Sequence, residues 1–148
     1  MKPNDPWDGR DFPTHEPGPY LQLREAPASF SMERDPAELL SSDRVRTVAL
    51  LVTGNTVEAT KIVHAIVPKS SLSRRGTLTP YQSEQTERLS HLFAYAFKVF
   101  DDLEEARLFM RRPHPELAHR SPIEAAMSER GGRAVESVLD SLAFGLPV

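Results

Sequence analysis

The chain contains no cysteine in its 148 residues, which removes disulfides, thiolate nucleophiles and cysteine-ligated metals from consideration. Glycine is scarce, with seven residues, and none of them builds the Gly-rich turn that cradles a nucleotide phosphate. No Ser-His-Asp order stands out as a hydrolase signature either, so nothing in the chain reads as an enzyme, and no cofactor is expected. No apolar run approaches the ~18 residues of a membrane span and no charged-then-apolar leader opens the chain, so the cytoplasm is the expected compartment and no membrane contact is expected. Positive charge is also in short supply. A net charge of −3 rules out a protein that coats nucleic acid generally, and any DNA contact has to come from a local basic face.

Proline is what the chain has in excess, and it is unevenly placed. Seven of the 13 prolines fall within residues 1–36, among Asp, Glu, His and Gly. Such a stretch buries too little apolar surface to offset the entropy of ordering it. Residues 1–36 are therefore expected to form a flexible arm, with Trp7, Phe12, Tyr20, Leu21 and Leu23 available to anchor it on a partner. The remainder divides by motif into residues 37–78 and residues 79–148.

From residue 35 onward the chain reads as helix after helix. Asp35-Pro36-Ala37-Glu38 combines an N-cap, a proline at the first helical position and a capping-box glutamate. Leu39, Leu40, Val45, Val48, Ala49 and Val52 supply apolar faces, with Gly54 as the stop. A strand competes over residues 45–52, where β-branched residues concentrate, but the 45, 48, 49, 52 spacing is helical. A second helix starts near Asn55 or Thr56, buries Ala59, Ile62, Val63 and Ile66, and ends at Pro68. The basic segment Lys69-Ser70-Ser71-Leu72-Ser73-Arg74-Arg75 then runs to Gly76, so that helix, tight turn and short basic helix follow one another as in a helix-turn-helix.

Thr79-Pro80-Tyr81-Gln82 repeats the capping pattern and opens the longest helix, whose Leu89, Leu92, Phe93, Ala96, Phe97 and Phe100 form one wide apolar stripe. The exposed apolar area of this helix is a candidate interface for a homodimer. Asp102-Leu103-Glu104-Glu105 opens the next helix, with Leu103, Ala106, Phe109 and Met110 inward, and Pro113-His114-Pro115 stops it. Ser121-Pro122-Ile123-Glu124 starts a short helix, with Ile123, Ala126 and Met127 inward, which the pair Gly131-Gly132 is expected to end. The last helix is expected to bury Val135, Val138, Leu139 and Leu142, to show Arg133, Glu136, Ser137 and Asp140 to water, and to close at Gly145. The fold class is therefore all-α, a compact bundle of about seven helices.

Two of these pieces have a familiar order. Ser71-Leu72-Ser73-Arg74-Arg75 and Leu78-Thr79-Pro80 precede Glu84, Glu87, Arg88 and Leu89. Further on come Val99-Phe100, Asp101-Asp102, Glu105-Ala106, His114-Pro115-Glu116-Leu117, Ser121-Pro122-Ile123-Glu124 and the helix from Ala134 to Gly145. In that order and spacing the chain resembles Xre/MbcA/ParS-type antitoxins over roughly residues 44–148, most strongly from Leu78 onward. Two positions depart from the pattern: His114 stands where asparagine is common, and Ala118-His119 replaces glycines, which implies a change of loop shape.

The resemblance implies a degenerate Xre-like helix-turn-helix followed by a C-terminal toxin-binding helical domain. The implied partner is a RES-domain toxin, a small enzyme that consumes NAD or transfers its ADP-ribose. Inhibition would come from the last helix and tail entering the toxin's cleft, through Arg133, Glu136, Asp140, Phe144, Gly145, Leu146, Pro147 and Val148. A stiff apolar end loses little entropy on entering a cleft, and its carboxylate suits an arginine that otherwise holds a cofactor phosphate. As a homodimer the antitoxin would also bind operator DNA through Lys69, Ser70, Ser71, Ser73, Arg74 and Arg75. Against these stand a frayed terminus for the tail and a solvated face for the basic segment. A stand-alone helix-turn-helix regulator with a helical dimerisation domain is the alternative function. His114 and His119 bracket a proline turn with Glu116, but two loop histidines without a third ligand at helical spacing are surface residues, and metal ligation is rejected. The carboxylates Asp101, Asp102, Glu104 and Glu105 are explained by capping and by the helix dipole.

Overall fold

The computed structural model describes residues 41–72 and 76–145. The arm at residues 1–36, the start signal at Asp35 to Glu38, the residues Ser73, Arg74 and Arg75, and the tail residues Leu146, Pro147 and Val148 lie outside the described residues. Among those described the structure is all-α, with seven α-helices and one short 3₁₀ helix.

Helix α1 (Ser42–Thr53) buries Val45, Val48, Ala49 and Val52, so the 3.6-residue period outweighs the β-branched composition. Gly54 ends it with φ 64°, its N–H donating to the Leu50 carbonyl. Helix α2 (Thr56–Ile66) starts at Asn55, whose side chain accepts from the N–H groups of Val57 and Glu58, and it buries Ala59, Ile62, Val63 and Ile66. After Pro68 comes the single turn α3 (Lys69–Leu72), which buries no residue. Among the described residues a turn and one short helical turn follow α2, with Lys69 as its cation.

Helix α4 (Pro80–Phe100) runs for 21 residues from a complete capping box between Thr79 and Gln82. Leu89, Leu92, Phe93, Ala96 and Phe97 are buried along it, and it packs against α1, α2, α5 and α7. Burying side chains as fully as Leu89 and Leu92 contributes roughly 1.5–3 kcal/mol each. Helix α5 (Leu103–Arg111) starts where Asp102 accepts from the Glu105 N–H at 2.8 Å, and it buries Ala106 and Met110. Leu103 and Phe109 are half-buried, with the Phe109 ring tilted against Phe100 at 5.4 Å.

The 3₁₀ helix Pro115–Leu117 leads to α6 (Pro122–Ala125), opened by a capping box between Ser121 and Glu124. The last helix, α7 (Glu129–Ala143), departs from the sequence expectation at its start. Ser128 is the N-cap, accepting from the Gly131 N–H at 3.1 Å, and Gly131 and Gly132 lie in the first turn instead of ending the preceding helix. The reason is close approach. A Cβ at residue 131 would sit 2.0 Å from the Ala125 carbonyl oxygen, so only glycine lets α7 begin this near the end of α6. Leu142 is also corrected: it is 38% exposed, because the end of α7 extends beyond the side chains that cover Val135, Val138 and Leu139.

Candidate functional site

Helix α7 has two faces. Val135, Val138 and Leu139 point inward and are at most 1% exposed. Arg133, Ser137, Asp140 and Phe144 are exposed, with Glu136 half-buried at the edge; steps of three and four residues put these on one side of a helix. Of the residues expected to meet a toxin, Arg133, Glu136, Asp140 and Phe144 therefore share a single outward face. Arg133 pairs with Glu129 one turn earlier. The Ser137 hydroxyl donates to the Arg133 carbonyl at 3.1 Å.

The edge of that face is fastened to α4. The Tyr95 hydroxyl donates to Asp140, and His91 Nε2 lies 3.6 Å from the Glu136 carboxylate. Nearer the start of α4, Arg88 donates to the Ala126 carbonyl at 3.1 Å and Gln85 to the Met127 carbonyl at 2.9 Å. Tyr81, Gln85, Arg88, His91 and Tyr95 recur at three and four residues, so they form one polar seam that holds α6 and α7 on the long helix. The hydrogen bond to Asp140 raises the Tyr95 phenol above its ordinary pKa, helped by desolvation and by the negative charges of Asp140 and Glu136. Sequence reasoning did not pick out this seam. Its only local sign was polar residues at helical spacing beside the apolar stripe of α4.

Two large apolar side chains are exposed at the end of α7. Phe144 is 75% exposed and Leu142 38%. Gly145 takes a left-handed φ of 63°, so the chain leaves the helix axis at that point, as expected of a closing glycine. Of the residues assigned to DNA, Lys69, Ser70 and Ser71 lie exposed on α3.

The loop between α5 and α6 takes an unusual backbone. His114 accepts from the Glu116 N–H through Nδ1 at 3.3 Å, the capping role that a short polar side chain often fills, and its ring meets Phe109 edge-on. Ala118 and His119 both adopt the left-handed conformation, at φ 55° and 60°. Glycine favours that region and other residues enter it at a cost.

A small helical unit ending in an outward polar face and an exposed aromatic has the character of a protein-interaction domain. More particularly, residues 96–145 match the family described as the antitoxin Xre/MbcA/ParS C-terminal toxin-binding domain. The match runs from the last five residues of α4 through Gly145, about a third of the chain. No curated protein matches the chain. The chain therefore carries an Xre/MbcA/ParS-type antitoxin domain, a domain described by its binding to a toxin protein. Helices α1 to α3 lie outside the matched segment. Among the described residues no helix is long and apolar enough to cross a membrane.

Proposed function

We propose that this protein is the antitoxin of a toxin–antitoxin pair whose toxin is a RES-domain enzyme that consumes NAD or transfers its ADP-ribose. It neutralises the toxin by laying the outward face of α7 over the active-site cleft, with Arg133, Glu136 and Asp140 as the polar rim. Phe144, Gly145, Leu146, Pro147 and Val148 enter the cleft. The observation that carries this reading is Phe144, 75% exposed at the end of a well-packed helix. An aromatic ring left in water beside a second exposed apolar residue, Leu142, is a candidate binding anchor, and covering it contributes roughly 1.5–3 kcal/mol.

The second part of the proposal is autorepression. A homodimer would present two copies of the α2–α3 segment to operator DNA, using Lys69, Ser70, Ser71, Ser73, Arg74 and Arg75, with residues 37–78 as the DNA-reading portion and 79–148 as the toxin-binding portion.

Co-expression with the toxin tests the first part. The full chain is expected to rescue growth, whereas a chain ending at Phe144 or carrying Phe144→Ala is expected to bind at least about tenfold more weakly. Rescue by all three alike would move inhibition away from the tail and Phe144. Loss of rescue on adding residues after Val148 would support tail insertion; unchanged rescue would refute it. The double change Arg74→Ala with Arg75→Ala is expected to abolish repression and leave neutralisation intact. Repression without any toxin-binding activity would favour the stand-alone regulator.

A further inference from the structure

We propose that the outward stripe of α5 is a self-complementary surface that docks against the same helix of a second copy, antiparallel. Glu104, Glu105, Arg111 and Arg112 are all exposed, and Leu108 between them is half-buried. At 100° per residue these five share the side of α5 opposite the buried Ala106 and Met110. Leu108 is at the centre, with the two acids about one turn before it and the two arginines about one turn after.

A twofold axis level with Leu108 follows from this spacing. When the second helix runs antiparallel, Leu108 meets Leu108 of the second copy. Glu104 then falls opposite Arg111 of the second copy and Glu105 opposite its Arg112. Each pair lies on the same flank and within about one residue's rise, ~1.5 Å, of register. The symmetry repeats both pairs, so the patch is its own charge complement, as an isologous contact requires.

The helix dipole accounts for acids at the start of α5 and bases at its end. It does not require that acids and bases share the two flanks of a single residue, as they do around Leu108. Arg111 donates only to the Arg107 carbonyl, and neither it nor Arg112 forms an ion pair among the described residues, a state they share with Lys69, Arg88, Lys98, Arg120 and Arg130. Glu104 is steadied by Arg107, their contact being 2.6 Å, and remains 73% exposed. The inner side of α5 is occupied by α1, α4 and α6, so the outward stripe is separate from the α7 face and both can be occupied together.

A contact built on nine helical residues belongs to the small, transient class of interfaces. The expected dimer has a dissociation constant on the order of 1–100 μM and weakens as salt rises. Sedimentation equilibrium of the full chain at low and high ionic strength measures it. The variant Glu104→Arg with Glu105→Arg, and separately Arg111→Glu with Arg112→Glu, should each raise the dissociation constant at least about tenfold. An equimolar mixture of the two variants should recover the dimer, because four acids then face four arginines. Recovery by mixing also shows that the variants fold. A chain that stays monomeric throughout, double variants that associate like the natural chain, or a mixture that fails to recover would each overturn the proposal. So would variants that lose toxin binding while their self-association is unchanged.

Discussion

Replacing Gly131 with alanine should destabilise the protein, although helix propensity alone predicts the reverse. Gly131 lies in the first turn of α7, and in a helix interior a Gly-to-Ala change normally stabilises by about 1 kcal/mol. Here the added Cβ would lie 2.0 Å from the Ala125 carbonyl oxygen and 2.7 Å from its carbon. Both are backbone atoms at the end of α6, so relief requires moving α6 and α7 apart by roughly 1 Å or more to reach van der Waals contact. Overpacking of this kind costs about 1–3 kcal/mol. The same movement strains the hydrogen bonds from Gln85 to Met127 and from Arg88 to Ala126, each contributing about 0.5–1.5 kcal/mol. The net expectation is a loss of about 1–3 kcal/mol, which for a chain of this size lowers Tm by roughly 2–12 °C. Urea denaturation and thermal melting followed by circular dichroism measure it. Gly132→Ala is the internal comparison, because its Cβ would meet the Arg88 side chain, 2.5 Å from Cδ. A side chain can swing where a carbonyl cannot, so gain and loss should cancel to within about 1 kcal/mol. If Gly131→Ala proved as stable as the natural chain, the close seating of α7 on α6 would be refuted.

Two further outcomes follow from the geometry. Ala118→Gly and His119→Gly should each stabilise by about 0.5–1 kcal/mol, since both residues hold a left-handed conformation that costs L-residues roughly 1–2 kcal/mol, part of which glycine's greater freedom in the unfolded chain offsets; an unchanged or lowered Tm for the double variant would contradict this. The Tyr95 phenol should titrate above the ordinary tyrosine range, and since the raised pKa belongs to the folded state, its contribution is complete below pH ~10 and lost as pH rises through the folded value. Spectrophotometric titration of the natural chain and Asp140→Asn tests this, and identical titration curves would dismiss the hydrogen bond as the cause.

Much of the fold is readable from the chain because helix starts are local. Thr79 with Gln82, Asp102 with Glu105 and Ser121 with Glu124 each close a cap within four residues, and all three form as their spacing implies. The apolar residues of α1, α2 and α4 are buried as their period requires, because a helix has one side to offer a core. The reading failed at Gly131-Gly132, where two glycines resemble a helix stop. Nothing local distinguishes a glycine that ends a helix from one that admits a neighbour's backbone. It failed again at Leu142, whose inward direction was correct but whose cover was not there. Neither fact exists until α6 and α4 have been put in place.

The candidate site divides in the same way. That Arg133, Glu136, Asp140 and Phe144 share one side of the last helix follows from their spacing, and the order of capped helices around them already resembled the antitoxin domain that residues 96–145 match. Only the tertiary structure engages His91 with Glu136 and Tyr95 with Asp140, groups 45 residues apart in sequence, and leaves Phe144 in water. Sequence determined the faces, because helical period is a property of the chain itself. Packing decided which polar groups are tied down and which apolar ones stay exposed, because burial depends on what another segment brings to the same place.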